Sequence, residues 1–229
     1  MKSVTQNART RWISRGLVLG VVGMLASALP SAALAHPHGW IDLSVEVITD
    51  ADGNATALHQ TWRMDPFYSL VVLEELSQGK EANLDEGLDQ LGHEIRDNVA
   101  AQHYFTEVRL NGERQALGEV IDYTALARNG RLHFMFRLPL SEPQPLEESE
   151  LTYQVFDPTY YLEVVHEAED NNVSDDALTL RGERECSLSV EPADPDPELI
   201  MRAAMLDKNE SGETGLGRHF AETGVVTCR

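Results

Sequence analysis

The chain is short of several things, and each shortage narrows what it can do. It has two cysteines in 229 residues, too few for a four-thiolate zinc or iron–sulfur centre. Basic residues are scarce, 18 Lys and Arg against 38 Asp and Glu. A net charge of −20 excludes nucleic acid as a partner, because phosphate recognition needs a basic surface. Its longest apolar run, Leu17 to Leu29, falls short of the roughly 20 residues that span a bilayer. Neither an internal repeat nor a low-complexity linker is present. No Gly-x-Ser-x-Gly, phosphate loop, dinucleotide fingerprint or His-Glu-x-x-His occurs. With no nucleophile beside a plausible base, the sequence points to a binding protein and away from an enzyme.

The amino terminus is rich in what export requires. Lys2, Arg9, Arg11 and Arg15 precede the apolar run without a single acid, and Ser31-Ala32-Ala33-Leu34-Ala35 supplies an Ala-x-Ala site. This order reads as a secretory signal peptide over 1–35, cleaved after Ala35, with His36 as the new terminus in a bacterial periplasm. Losing four basic groups and no acid takes the remaining 194 residues from −20 to −24. Both cysteines, Cys186 and Cys228, lie in the exported part and are expected to pair in an oxidising compartment. Residues 36–229 are expected to form one mature domain, with two β-rich halves that would meet near 141–150.

Residues 40–49 and 56–64 alternate around Asp52-Gly53, the sign of a hairpin. With these two as the loop, partners have numbers summing to 105. Ile41, Leu43 and Val47 then oppose Met64, Trp62 and Leu58, while Asp42, Ser44 and Glu46 oppose Arg63, Thr61 and His59. Asp65-Pro66 caps a helix over Phe67–Ser77. A second helix starts at Asn83, with Glu86 completing a capping box and Leu84, Leu88, Leu91, Ile95 and Val99 as its apolar stripe. Further strands are expected at Val108–Leu110, Val120–Ala127, Leu132–Leu138, Leu151–Phe156, Tyr161–Val165, Leu178–Leu180, Leu188–Val190 and Val225–Cys228, with a helix from Asp196-Pro197 through Leu206. The expected fold class is α+β, mainly antiparallel sheets in a sandwich-like arrangement, with two or three helices.

The residues with most chemical promise stand at the new terminus. Strand alternation puts His36, His38, Trp40 and Asp42 on one side of the first strand. Two imidazoles, an α-amine and a carboxylate there would suit a divalent transition metal, whether zinc, nickel, cobalt or copper. Asp65, opposite Trp40 in the hairpin register, is a further candidate ligand. Pro37 has no amide hydrogen, which excludes the copper/nickel mode that binds through deprotonated backbone amides. Of the other histidines, His103 and His219 are the better candidates to join the site because each adjoins aromatic residues. His59 reads as a surface partner of Glu46, His133 lies on the polar side of its hairpin, and His93 and His166 carry no assignment. Phe156-Asp157-Pro158-Thr159-Tyr160-Tyr161 reads as a structural corner.

His36-Pro37-His38 with Asp42, Trp62, Asp65 and Tyr68-Ser69, then Tyr104-Phe105-Thr106, Gly130-Arg131-Leu132, Pro139-Leu140, Asp157-Pro158-Thr159-Tyr160-Tyr161 and Phe220-Ala221-Glu222 make up a recognisable pattern. It resembles a bacterial domain-of-unknown-function family described as the periplasmic component of an uncharacterised ABC-type transport system. The resemblance covers nearly all of the mature chain. It implies a metal-handling accessory to a membrane permease, of the ABC type or of the nickel/cobalt type. Two other functions compete: a solute-binding protein for a small organic ligand or metal chelate, and a copper oxygenase using His36 as an amino-terminal histidine brace.

Overall fold

The computed structural model describes residues 37–78, 83–170, 172–206 and 210–229. Its first hairpin pairs β1 (Gly39–Thr49) with β2 (Asn54–Met64) in the expected register, Ile41 against Met64, Leu43 against Trp62 and Asp42 against Arg63. The turn differs from expectation. The register shifts at Ile48/Thr49, so that Thr49 meets Ala55, and Ala51-Asp52-Gly53 forms a three-residue loop with Gly53 at φ 80°. The Asp50 carboxylate accepts from the amides of Asp52 and Asn54 at 3.0 and 2.9 Å. That side-chain bond favours a longer turn over the two-residue one.

The Asn129-Gly130 turn behaves as expected. Both residues have positive φ, 52° and 73°, and they join β5 (Tyr123–Arg128) to β6 (Arg131–Pro145) with Tyr123, Ala125 and Ala127 opposite Phe136, Phe134 and Leu132. β5 starts three residues later than the pattern suggests. Val120 is buried outside the strand because its amide donates to the Tyr104 hydroxyl at 3.3 Å.

β1, β2, β6 and β5 form the body of a six-stranded sheet, and two strands lie end to end along the free edge of β1. β8 (Leu162–His166) pairs with Gly39–Leu43 and β11 (Leu178–Arg181) with Val45–Ile48, both parallel to β1. The second sheet runs in the order β12 (Cys186–Glu191), β13 (Thr223–Cys228), β7 (Glu150–Val155), β3 (Thr106–Leu110) and β4 (Glu113–Arg114), antiparallel throughout. A small separate hairpin pairs β9 (Ala168–Glu169) with β10 (Asn172–Val173). The class is α+β, as expected. Strands of the two large sheets alternate along the chain, and β6 runs through 141–145, so the sheets are not two successive halves. All these elements belong to one unit, Ala35–Arg229.

Three helices complete the described residues: α1 (Pro66–Gln78), α2 (Leu84–Ala100) and α3 (Pro197–Ala204). Asn83 caps α2 by accepting from the Asp85 amide, and Asp196 caps α3 by accepting from that of Glu198. α3 stops two residues short of the expected Leu206, with Met205 as its C-cap. α2 lies against β5, where Leu88 is buried and Gly92 approaches Ala125 so closely that a Cβ would sit 3.3 Å from it. One apolar cluster draws from both sheets: Leu43, Trp62, Phe134 and Phe136 from the first, Val108, Leu151, Tyr153 and Val226 from the second. Phe136 packs edge-on to Trp62 at 5.1 Å, and Phe105 stacks over it at 5.8 Å.

Candidate functional site

His38 stands just before β1. Its amide donates to the Tyr161 carbonyl at 2.9 Å, and its ring stacks on that of Tyr161 with centroids 4.4 Å apart. Alternation from this point buries Ile41 and Leu43 and leaves Trp40 and Asp42 on the outer face. Asp65 follows β2 directly, and its amide donates to the Trp40 carbonyl at 3.1 Å. Its Oδ1 accepts from the amides of Phe67 and Tyr68, both at 2.9 Å, the N-cap that the Asp-Pro sequence announces. Its Oδ2 lies over Gly39, 2.8 Å from where a Cβ would stand. Glycine at 39 therefore lets the second carboxylate oxygen close onto the start of β1 on the side that Ile41 and Leu43 share. Ala35 and His36 lie outside the described residues, as does the whole of the expected signal peptide.

Asp42 is differently engaged. Arg63 Nε lies 3.2 Å and Arg131 Nη2 2.9 Å from the same carboxylate oxygen. Arg131 also donates through Nε to the Met64 carbonyl and through Nη2 to that of Arg63. Asp42 thus anchors the β5–β6 turn to the end of β2, and a metal would have to compete with two guanidinium groups for it. Among the described residues no group of three or more His, Cys, Asp or Glu converges as a metal site would.

The remaining histidines are dispersed. His59 opposes Glu46 in the register, but Glu46 is paired with Arg181. His93 contacts Asp97 and the Tyr123 hydroxyl. His103 and His219 are exposed in two separate 3-10 turns, His103–Phe105 and Leu216–Phe220. Burial and the neighbouring Arg63 push the His133 imidazole below its ordinary range.

His166 is the buried one. Its backbone amide and its Nδ1 both meet Glu222 Oε2, at 2.6 and 2.9 Å, and its Nε2 lies 2.7 Å from the Tyr153 hydroxyl. A carboxylate at Nδ1 places the ring proton there, so Nε2 accepts from Tyr153. The chain of three bonds crosses from β8 to β7 and ties the two large sheets together. Burial raises the Tyr153 phenol far above its usual range. It pushes Glu222 up as well, but the bonds from His166 more than offset this and hold the carboxyl low. Gly224 is the cross-strand partner of Tyr153 in the second sheet, and its lack of a side chain makes room for the ring, since a Cβ there would fall 2.2 Å from it. Glu107, a buried acid of the second sheet, accepts from Arg218 and Arg109, and these bonds, Arg218 first, hold its carboxyl at about 2.

Asp157 forms the corner that its motif suggests. Oδ1 accepts from the Thr159 amide and hydroxyl, and Oδ2 from the Leu162 amide. This turn feeds Tyr161 into its place beside His38. A family model described as "Protein of unknown function (DUF1007)" matches residues 21–228. The chain belongs to that family. A relative, an uncharacterised protein of Haemophilus influenzae, is 26% identical over 209 residues, covering 90% of this chain and 97% of the relative. In this DUF1007 chain the Phe220-Ala221-Glu222 motif carries a residue with a definite task, because Glu222 orients His166. By sequence alone His166 carries no assignment. The available signal was a histidine ending an apolar strand, where burial demands a partner. No helix among the described residues is long and apolar enough to cross a membrane.

Proposed function

We propose that this is an exported, periplasmic metal-binding accessory protein that captures a divalent transition metal at the start of β1 and hands it to a membrane permease, of the ABC type or the nickel/cobalt type. The ligands are the imidazoles of His36 and His38 and the carboxylate of Asp65. The observation that carries the reading is the placement of His38. It is exposed and held against Tyr161 on the outer side of the sheet. Neutral imidazole and carboxylate are the donors that zinc, nickel, cobalt and copper accept. Asp42 drops out of the ligand set because two arginines hold it. Signal cleavage after Ala35 would complete the site by exposing His36. Such an edge site exchanges metal readily, which suits a carrier and not a catalyst.

Titration of the secreted protein with zinc, nickel, cobalt and copper, followed by calorimetry and native mass spectrometry, tests the reading. One ion per chain is expected for at least one of these metals, with binding abolished in the His36→Ala/His38→Ala variant. Asp65→Asn preserves the helix cap and should weaken binding about tenfold or more, or roughly 1.4 kcal/mol. Asp42→Asn should leave the affinity unchanged. Stoichiometric binding that survives the double histidine variant, or no binding to the native protein, would overturn the proposal.

A further inference from the structure

A second site lies farther along the same outer face, and its charge is opposite to that of the chain as a whole. The cross-strand partners here are Arg63 with His133 and Arg128 with Arg131. The Arg128–Arg131 pair sets like charges directly opposite, which destabilises a sheet, and in a chain of net charge −20 nothing about solubility calls for it. Around these residues is a cavity of about 350 Å³, the scale of a small-molecule site. Arg63, Arg128 and Arg131 line it together with the hydroxyls of Ser44 and Thr61, which are themselves paired between β1 and β2. Leu126 and Met135 add apolar wall.

The internal acids do not use up these donors. Asp42 meets Arg63 Nε and Arg131 Nη2, and Glu167 meets Arg63 Nη1 at 3.3 Å. The Arg128 side chain has no hydrogen-bond or ion-pair partner among the described residues. The Arg131 guanidinium is fixed by carbonyl and carboxylate bonds, so the ordering cost that weakens exposed arginine contacts has already been met by the fold. His133, held below its ordinary range by burial and Arg63, contributes a neutral ring. Three guanidinium groups against two acids, with hydroxyls between and apolar walls at the side, suit a ligand that carries several carboxylates on a short carbon stem.

We propose that this groove binds a small organic polycarboxylate, with its carboxylates on Arg63, Arg128 and Arg131 and its stem against Leu126 and Met135. The site is independent of the metal site at His38. Citrate serves as the probe and inorganic phosphate as the comparison, each titrated calorimetrically into metal-free protein at about 0.15 M salt, where loose surface attraction is screened. One citrate per chain is expected, with phosphate weaker because it has no stem. Arg128→Gln removes a side chain that supports nothing in the fold and should lower citrate affinity about tenfold, and Arg128→Glu should lower it further. Arg202→Gln on α3 should change nothing. Citrate binding should persist in the His36→Ala/His38→Ala variant, which separates this site from metal-bridged capture. Absence of saturable citrate binding, phosphate binding as tight as citrate, retention of affinity in Arg128→Glu, or loss in the double histidine variant would each overturn the proposal.

Discussion

The two large sheets share one apolar core, with Val108, Leu151, Tyr153 and Val226 of the second as fully buried as their counterparts in the first, but the second carries further ties. The first, built on β1, β2, β6 and β5, buries Ile41, Leu43, Trp62, Phe134, Phe136 and Leu138 almost completely, and hydrophobic burial dominates its stability. The second, built on β12, β13, β7, β3 and β4, is held at its edge by a disulfide between Cys186 and Cys228, which are direct cross-strand partners. Buried polar groups add to it, with Glu107 under Arg218 and Arg109, and Tyr153 on His166 and Glu222. A sheet held by apolar packing should lose most when a large side chain is removed. A sheet held by a crosslink and charge pairs should respond to redox state and pH.

The largest expected effect is on the first sheet. Trp62 is 1% exposed and contacts Phe105, Phe134 and Phe136, and its Nε1 donates to Gln60. Trp62→Ala should cost about 4–5 kcal/mol in urea unfolding, through lost burial and the cavity left behind. A cost below about 2 kcal/mol would show that the aromatic cluster is not the main prop of this sheet.

Next comes the crosslink. Cys186 and Cys228 close a loop with a sequence separation of 42, for which loop entropy gives about 4 kcal/mol. Cys186→Ser/Cys228→Ser should lower unfolding stability by about that amount, and hydrogen exchange should rise first in β12 and β13. Uniform loosening of both sheets would mean that they unfold as a single cooperative unit.

The smallest effect is also the most selective. Glu107 has its carboxyl lowered from 4.5 to about 2 in the folded protein, so its contribution is complete above pH 4.5 and is lost as pH falls toward 2. The shift corresponds to about 3 kcal/mol. Glu107→Gln should flatten that part of the acid-unfolding curve. An unchanged acid limb in the variant would remove Glu107 from the account of the second sheet.

Legibility in the sequence followed the same division. The β1–β2 and β5–β6 registers could be read because alternation places one face in the core, and a slip by one residue would expose every apolar side chain. The parallel docking of β8 and β11 along β1 could not, because no local pattern encodes which edge a short strand will find. At the site, Asp65 was legible as a helix cap, and His38 and Asp42 as residues on the outer face. The capture of Asp42 by Arg131, across 89 residues, was not. The His166 network combines Tyr153, His166 and Glu222 from three separate segments, and nothing local to any one of them names the other two.

The sequence alone determined the α+β class, the hairpin registers, the helix caps and the pairing of its two cysteines, since these depend on neighbouring residues, on period-two burial or on a count of two. Tertiary structure decided which charged groups meet. Ion pairs and buried networks depend on distances of a few ångströms between segments far apart in the chain, and side-chain polarity by itself carries no record of that distance. The cationic groove in this acidic protein belongs to the second kind, because Arg63, Arg128 and Arg131 become neighbours only when β2, β5 and β6 are laid side by side.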